Sequence, residues 1–132
     1  MSDLPQSIRF NITDLNDELP GEGYHPAVIT AARLRMSQNR NPTMQVTYQL
    51  QDASPGCDTV AEYFVLMGSS ARARAISFRR LLALYRACGL QPQQGDPIRP
   101  EELIGSQVEV RIGHEVYDGT LRLRVLGYRS VS

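Results

Sequence analysis

Residues 107–128, QVEVRIGHEVYDGTLRLRVLGY, decide the fold, because two runs of alternating apolar and polar residues flank an Asp-Gly pair. A two-residue type I′ turn needs positive φ at both central positions, and Asp118-Gly119 supplies residues that tolerate it. If these two residues form the turn, Tyr117 faces Thr120 and the register of the hairpin follows. The sequence therefore predicts two antiparallel strands joined at Asp118-Gly119.

The predicted register gives the hairpin two unlike faces. One face is mostly apolar and contains the pairs Val116–Leu121, His114–Leu123 and Ile112–Val125. The other face contains the pairs Glu115–Arg122, Gly113–Arg124 and Arg111–Leu126. Directly facing opposite charges attract, so Arg122 is expected to pair with Glu115, whereas Arg124 and Arg111 have no acid directly opposite. A buried face backed by an arginine-bearing face suggests a binding surface on a barrel.

Three further strands and one helix are predicted upstream of the hairpin. Residues 24–36 alternate weakly, residues 44–50 alternate clearly, and residues 57–66 are rich in β-branched and aromatic side chains. A helix is predicted to open at Gly68-Ser69-Ser70, with Ser69 or Ser70 as its cap, and to stop at Gly89. Its expected apolar stripe comprises Ala71, Ala75, Phe78, Leu81, Leu82, Tyr85 and Cys88.

This order of elements predicts a mainly β protein, a five-stranded OB-fold-like barrel with one capping helix between strands three and four. We expect residues 1–22 to form a partly ordered N-terminal arm, with a short strand at Ile8–Ile12. Residues 23–132 are expected to form the OB-fold-like domain. A chain of 132 residues suits one domain with a substantial core.

The formal net charge is zero, but the charge is unevenly distributed. Residues 1–66 hold eight acids and four arginines, and residues 67–132 hold six acids and ten arginines, so the halves carry −4 and +4. Every basic residue is arginine, which a GC-rich coding bias explains simply, although the guanidinium fork also suits phosphate. Without a signal peptide or transmembrane run, and with Cys57 and Cys88 expected as free thiols, we expect a cytoplasmic protein.

The sequence offers little for catalysis. Of the two histidines, His25 precedes Pro26 in an entry turn, and His114, on the inward hairpin face, is expected to be a satisfied, half-buried side chain rather than a base. No nucleophile elbow, glycine-rich phosphate loop, CxxC pair or metal-ligand spacing is present in the sequence. We therefore expect no enzyme activity, no cofactor and no metal.

A binding function finds more support in the sequence. Arg33 and Arg35 share one face of the first predicted strand, and Arg40 lies in the loop that follows it. Tyr63 and Phe64 lie on opposite faces of the third strand, so one of them points outward. Basic groups that follow a phosphate chain, together with aromatic rings that stack bases, are what single-strand binding requires.

The chain resembles phage- and prophage-encoded single-stranded-DNA-binding proteins of OB-fold type, a family long labelled only as a domain of unknown function. The matching pieces, in order across residues 21–129, are GEGYHPAVITAARLRMSQNRNPTMQVTYQL, DTVAEYFVL, RLLALYRACGL and ELIGSQVEVRIGHEVYDGTLRLRVLGY. The resemblance implies support of DNA replication or recombination in a phage or mobile element. Two departures are the turn at residues 39–42, where lysine and Gly-Asn-Pro are frequent in the family, and the absence of an acidic C-terminal tail, which argues against tail-mediated recruitment of partners.

These observations predict a non-catalytic protein that binds single-stranded DNA, with replication or recombination proteins as further partners. The expected nucleic-acid-binding residues are Arg33, Arg35, Arg40, Tyr63, Phe64, Arg111, Tyr117, Arg122 and Arg124. The alternative is a protein–protein adaptor or inhibitor module that uses the same barrel face, which the neutral total charge favours. Exposed strand edges on a small barrel would also allow a homodimer.

Overall fold

The computed structural model describes residues 19–36, 41–67 and 70–131 of the chain. The strands and helices, in chain order, are β1 (Gly23–Met36), β2 (Pro42–Leu50), β3 (Thr59–Val65), α1 (Ala71–Ala87), a 3₁₀ turn (Pro100–Leu103), β4 (Gln107–Tyr117) and β5 (Thr120–Arg129). All neighbouring strands are antiparallel, and the sheet order is β3-β2-β1-β4-β5. The prediction of a mainly β protein with five strands and one α-helix is confirmed.

The sheet is open, because β3 and β5 are its two edges and no backbone ladder joins them in the described residues. The closed barrel expected from the sequence is therefore not formed by strand pairing. The predicted strand at Ile8–Ile12 lies outside the described residues, as does most of the predicted N-terminal arm.

The closing hairpin has the predicted turn. Asp118 and Gly119 have φ values of 52° and 76°, and Tyr117 pairs with Thr120. The predicted pairing holds from there back to Ile112 and Val125.

The predicted pair Arg111–Leu126 is wrong. The register shifts between Arg111 and Ile112, so Arg111 pairs with Gly127 and Leu126 is the extra residue of a β-bulge. Gly113 explains why Leu126 leaves the ladder here, because a Cβ at Gly113 would lie 2.6 Å from Leu126 Cδ1. The Leu126 side chain therefore occupies the space above a residue that has no side chain.

The core lies between the inner face of the sheet and the second half of α1. Its largest fully buried side chains are Tyr48, Phe64, Ile29, Met44, Leu50, Leu84, Leu103 and Ile112. They come from β1, β2, β3, β4, α1 and the 3₁₀ turn, which places the outward residues of β1, β2 and β3 on the opposite face of the sheet.

Helix α1 begins at the predicted cap, but its buried face differs from the prediction. Ser70 Oγ accepts a hydrogen bond of 3.0 Å from the Ala73 amide. Burial starts at Leu81 and includes Leu84, which the predicted stripe omitted, whereas Phe78 is 44% exposed. The reason is that only the C-terminal half of the helix lies over the core, so an apolar residue in its first half finds no sheet beneath it. None of the helices in the described part of the chain has the length and apolar character needed to span a membrane.

Candidate nucleic-acid interface

The outer face of β1, β2 and β3 carries a row of polar and aromatic side chains. The strand register places Arg33 beside Gln45 and Gln45 beside Tyr63. The neighbouring row contains Arg35, Thr43 and Val65. The inward residues between these rows, such as Met44, are buried, so the alternation of the strands points both rows away from the core.

Gln45 organises this row, which we call the Gln45 platform (Arg33, Arg35, Gln45 and Tyr63). Gln45 Oε1 accepts hydrogen bonds from Arg33 Nε and Nη2, both at 3.3 Å, and from Arg35 Nη1 at 3.1 Å. Gln45 Nε2 donates to the Tyr63 hydroxyl at 3.5 Å. The sequence analysis missed Gln45 as a site residue, although its alternation with Met44 and Val46 already marked it as outward-facing.

A neutral amide positions the two guanidinium groups without cancelling their charge. In the described ranges, neither Arg33 nor Arg35 forms an ion pair. Two positive charges held side by side on an open strand face can each donate to a phosphate oxygen, because most of their five N–H donors remain available. The platform therefore holds two guanidinium groups side by side, and each can contact a phosphate of a chain that lies across the strands.

Tyr63 and Phe64 point to opposite faces of β3. Tyr63 is 53% exposed at the end of the platform, which leaves a face of its ring open for stacking. Phe64 is fully buried, and the Arg80 guanidinium lies 5.3 Å from the centre of its ring. Phe64, named among the expected nucleic-acid-binding residues, is thus the inward residue of the two, because its pairing with Met44 puts it on the core face, and Tyr63 is the one that points outward.

The two arginines of the hairpin share one acidic partner. Glu115 binds Arg122 at 2.8 Å and Arg124 at 3.4 Å. The prediction that no acid lies directly opposite Arg124 is confirmed, since Arg124 pairs with Gly113, but Glu115 reaches it diagonally across the ladder. Arg122 also stacks on Tyr117, with 4.0 Å from its guanidinium carbon to the ring centre, and so covers one ring face. The hairpin tip therefore offers less free charge than its sequence indicates.

Arg111 lies at the other end of β1 from the Gln45 platform. It pairs with Tyr24 on one side and Gly127 on the other. Tyr24 and Arg33 are nine residues apart on β1, which corresponds to roughly 30 Å along a strand. The predicted site residues thus fall into three groups rather than one surface, and Arg40 lies outside the described residues.

A buried carboxylate joins the two edge strands. The carboxyl of Glu62, on β3, is 6% exposed and accepts hydrogen bonds from the Tyr48 hydroxyl at 2.8 Å and from the Tyr128 hydroxyl of β5 at 2.5 Å. Arg80 of α1 completes an ion pair with it. Burial raises the pKa of Glu62, and the three donors oppose that rise without cancelling it. We call Glu62, Tyr48, Tyr128 and Arg80 the seam cluster, since its side chains link β3 to β5, two strands that no ladder joins in the described residues.

Both histidines are hydrogen-bonded, and they fix the segment that leads into β1. His25 Nδ1 lies 2.9 Å from Asp52, and its Nε2 donates to the Gly21 carbonyl at 2.5 Å. Burial by itself lowers the pKa of His25, but the Gly21 carbonyl and Asp52 outweigh it, so the pKa is raised above 6.5. His114 Nε2 bonds the Pro20 carbonyl at 2.6 Å. Across the described segments, no three His, Cys, Asp or Glu side chains converge as metal ligands would.

The sequence matches no protein-family model, and a search of curated proteins likewise gives no match.

Proposed function

We propose that the chain is a non-catalytic single-stranded-DNA-binding protein whose contact surface is the Gln45 platform. The observation that carries the proposal is that Arg33 and Arg35 are held together by a neutral amide, with the exposed ring of Tyr63 beside them. Phosphates would bind the arginines, and a base would stack on Tyr63, so that binding would not depend on sequence.

The architecture supports an OB-fold interpretation. The open edges of the sheet, β3 and β5, are brought together by the hydrogen bond between Glu62 and Tyr128. Closing that seam gives a partly open five-stranded barrel, with α1 between strands three and four of the chain, which is the arrangement of an OB-fold. Such barrels bind oligonucleotides on the face of strands two and three. Gln45 and Tyr63 lie on these strands.

The biological setting we propose comes from the resemblance to phage- and prophage-encoded proteins. A coat on single-stranded DNA would support replication or recombination of a phage or mobile element. Partners from those processes would meet the DNA-bound protein on surfaces away from the platform.

The test is fluorescence anisotropy with labelled oligo-dT at two salt concentrations. The wild type should bind at low salt and lose affinity with a log–log slope of about −0.7 per contacted phosphate. Arg33→Ala with Arg35→Ala should reduce that slope by about 1.4, since two contacts are lost. Arg122→Ala with Arg124→Ala removes the same charge from residues already paired with Glu115 and serves as the control.

Two results would contradict the proposal. One is absence of oligo-dT binding at low salt. The other is equal weakening by the platform double variant and the hairpin control, which would reduce the effect to net charge. Competition by duplex DNA at equal strength would remove the single-strand part of the proposal.

A protein–protein adaptor or inhibitor module is the second candidate function. Its supporting observation is the net charge of zero, which is low for a protein that coats nucleic acid. On this alternative, Arg33 and Arg35 would meet an acidic partner. A pull-down with and without nuclease separates the two functions, because a partner retained after nuclease treatment favours the adaptor.

A further inference from the structure

A second basic groove lies between α1 and β5, away from the Gln45 platform. It is an open, shallow depression of about 520 Å³, with Arg79 and Arg80 on its helix side and Arg111 on its strand side. Tyr24 and Tyr128 also line it. None of the described residues that line this groove is acidic. We call it the Arg111 groove.

Two of its three arginines are available to a ligand. Arg80 is committed to Glu62 in the seam cluster. Arg79 and Arg111 have no ion-pair partner in the part of the chain that the structure describes. Two guanidinium groups from different elements that line one groove can each donate charge-assisted hydrogen bonds to a phosphate of a bound strand.

The floor of the groove is open because of Gly127. A Cβ at this position would lie 3.9 Å from the Tyr24 hydroxyl and 4.0 Å from Arg111 Nε. The bare backbone of Gly127 therefore leaves a space between these two polar groups, into which any larger side chain would project. The bulge at Leu126 creates this arrangement, since it is what brings Gly127 rather than Leu126 opposite Arg111.

The outer face of β1 connects the two basic sites. Between Arg33 and Tyr24 it presents the uncharged side chains of Ala31, Val28 and Pro26. The acid of β4 beside this stretch, Glu109, pairs with Pro26 in the ladder and forms an ion pair with Arg129. A negatively charged chain that follows this face thus passes Glu109 as a member of an ion pair, and it passes Asp58 where that carboxylate accepts a hydrogen bond from Gln49, the β2 partner of Val28.

We propose that the Arg111 groove is a second phosphate-contact site for the same single strand that binds the Gln45 platform. This inference rests on the proposed function. Because the sites are roughly 30 Å apart along β1, an oligonucleotide of about 5 residues reaches one of them and one of about 20 residues reaches both. Binding of a long strand therefore uses two patches of one domain, and a short strand uses only the platform.

The experiment compares dT oligonucleotides of about 5 and about 20 residues, the first near the lower end of the usual site size of an OB domain and the second above its upper end. Arg79→Ala with Arg111→Ala should weaken binding of the longer one about tenfold, reduce its salt slope by about 1.4, and leave the shorter one unchanged. The matched control is Arg72→Ala with Arg86→Ala, two exposed arginines of α1 that do not line the groove. Its longer-strand affinity should stay close to that of the wild type.

Gly127→Glu tests the groove without removing an arginine. The open space beside Gly127 accommodates a Cβ in ordinary contact, so the fold should survive, while the carboxylate would occupy the place of the phosphate. This variant should bind the longer strand as weakly as the double variant and the shorter strand as well as the wild type.

The outcomes separate the two proposals. If the wild type binds no oligo-dT, the proposed function and this inference both fail. If the platform variant loses binding but the groove variants hold the longer strand like the wild type, only the second site fails. If poly-glutamate binds the wild type but not the groove variants, while the longer dT binds all of them equally, the groove is a site for an acidic protein and the inference is overturned.

Discussion

Removing the Tyr128 hydroxyl tests whether the seam cluster holds the two edge strands together. Tyr128→Phe keeps the ring but deletes the donor that meets the buried carboxylate of Glu62 at 2.5 Å. A hydrogen bond to a charged group is worth about 1.5–3 kcal/mol, so we expect the free energy of unfolding to fall by about 2 kcal/mol at neutral pH.

Tyr85→Phe is the matched control, because its hydroxyl donates at 3.1 Å to the neutral carbonyl of Arg99. A hydrogen bond between neutral groups contributes about 1 kcal/mol. In urea, with an m-value of about 2 kcal/mol/M, the unfolding midpoint should shift by about 1 M for Tyr128→Phe and by about half as much for Tyr85→Phe.

The cost of Tyr128→Phe should also depend on pH. Burial raises the pKa of the Glu62 carboxyl above 4.5, and the Tyr128 hydroxyl opposes that rise by favouring the ionised form. The folded state therefore binds a proton that the unfolded state releases, and the wild type gains stability from Glu62 as pH falls from neutral. Without the hydroxyl this gain is larger, so the stabilities of variant and wild type converge in acid.

Two results would refute this reasoning. The first is a cost for Tyr128→Phe that does not exceed that of Tyr85→Phe at pH 7. The second is a difference between Tyr128→Phe and the wild type that stays constant between pH 7 and pH 4.5, because the loss would then be unrelated to the charge on Glu62.

Three further predictions concern the turn, the entry to β1 and the helix. Gly119→Ala should lower the free energy of unfolding by about 1 kcal/mol in urea, because φ is +76° there; no loss would contradict the type I′ turn. Asp52→Asn should lower the raised pKa of His25 in an NMR titration. In the wild type, the stability that the raised pKa of His25 adds is fully present below pH 6.5 and is lost as pH rises through the folded pKa. An unchanged His25 pKa in Asp52→Asn would rule out Asp52 as a cause of the raised pKa. Leu84→Ala should lower the free energy of unfolding by about 2–5 kcal/mol, whereas Phe78→Ala should lower it by well under half of that. The reverse order would mean that Phe78 lies on the buried face of α1, as the sequence predicted.

The sequence predicts the closing hairpin well because its register depends on local chemistry. Asp118-Gly119 specifies the turn, and alternation carries the register back to Ile112. Pattern alone could not reveal the bulge at Leu126, since it depends on the space above Gly113, a contact between neighbouring strands. The same limit applies to Arg124, whose acid lies on the diagonal rather than directly opposite.

Strand β3 shows a second limit of sequence patterns. Val60, Glu62 and Phe64 share one face, and Ala61, Tyr63 and Val65 share the other, so neither face is distinctly apolar. A carboxylate would ordinarily mark its face as outward. Here Glu62 is buried, because partners far apart in sequence, Tyr128 and Arg80, supply its donors. No local pattern encodes such partners, and so the choice between Tyr63 and Phe64 needed the structure.

Glu62 has one more consequence, for the association of this protein with itself. An edge strand exposes backbone donors and acceptors that can pair with another chain, and an inward-pointing charge on such a strand opposes that pairing. Glu62 is such a charge on β3. If the seam opened, a second molecule that added its own strand to β3 would have to bury this carboxylate without Tyr128 and Arg80. Glu62, which links β3 to β5 within one molecule, thereby also disfavours the pairing of β3 with a strand of another molecule.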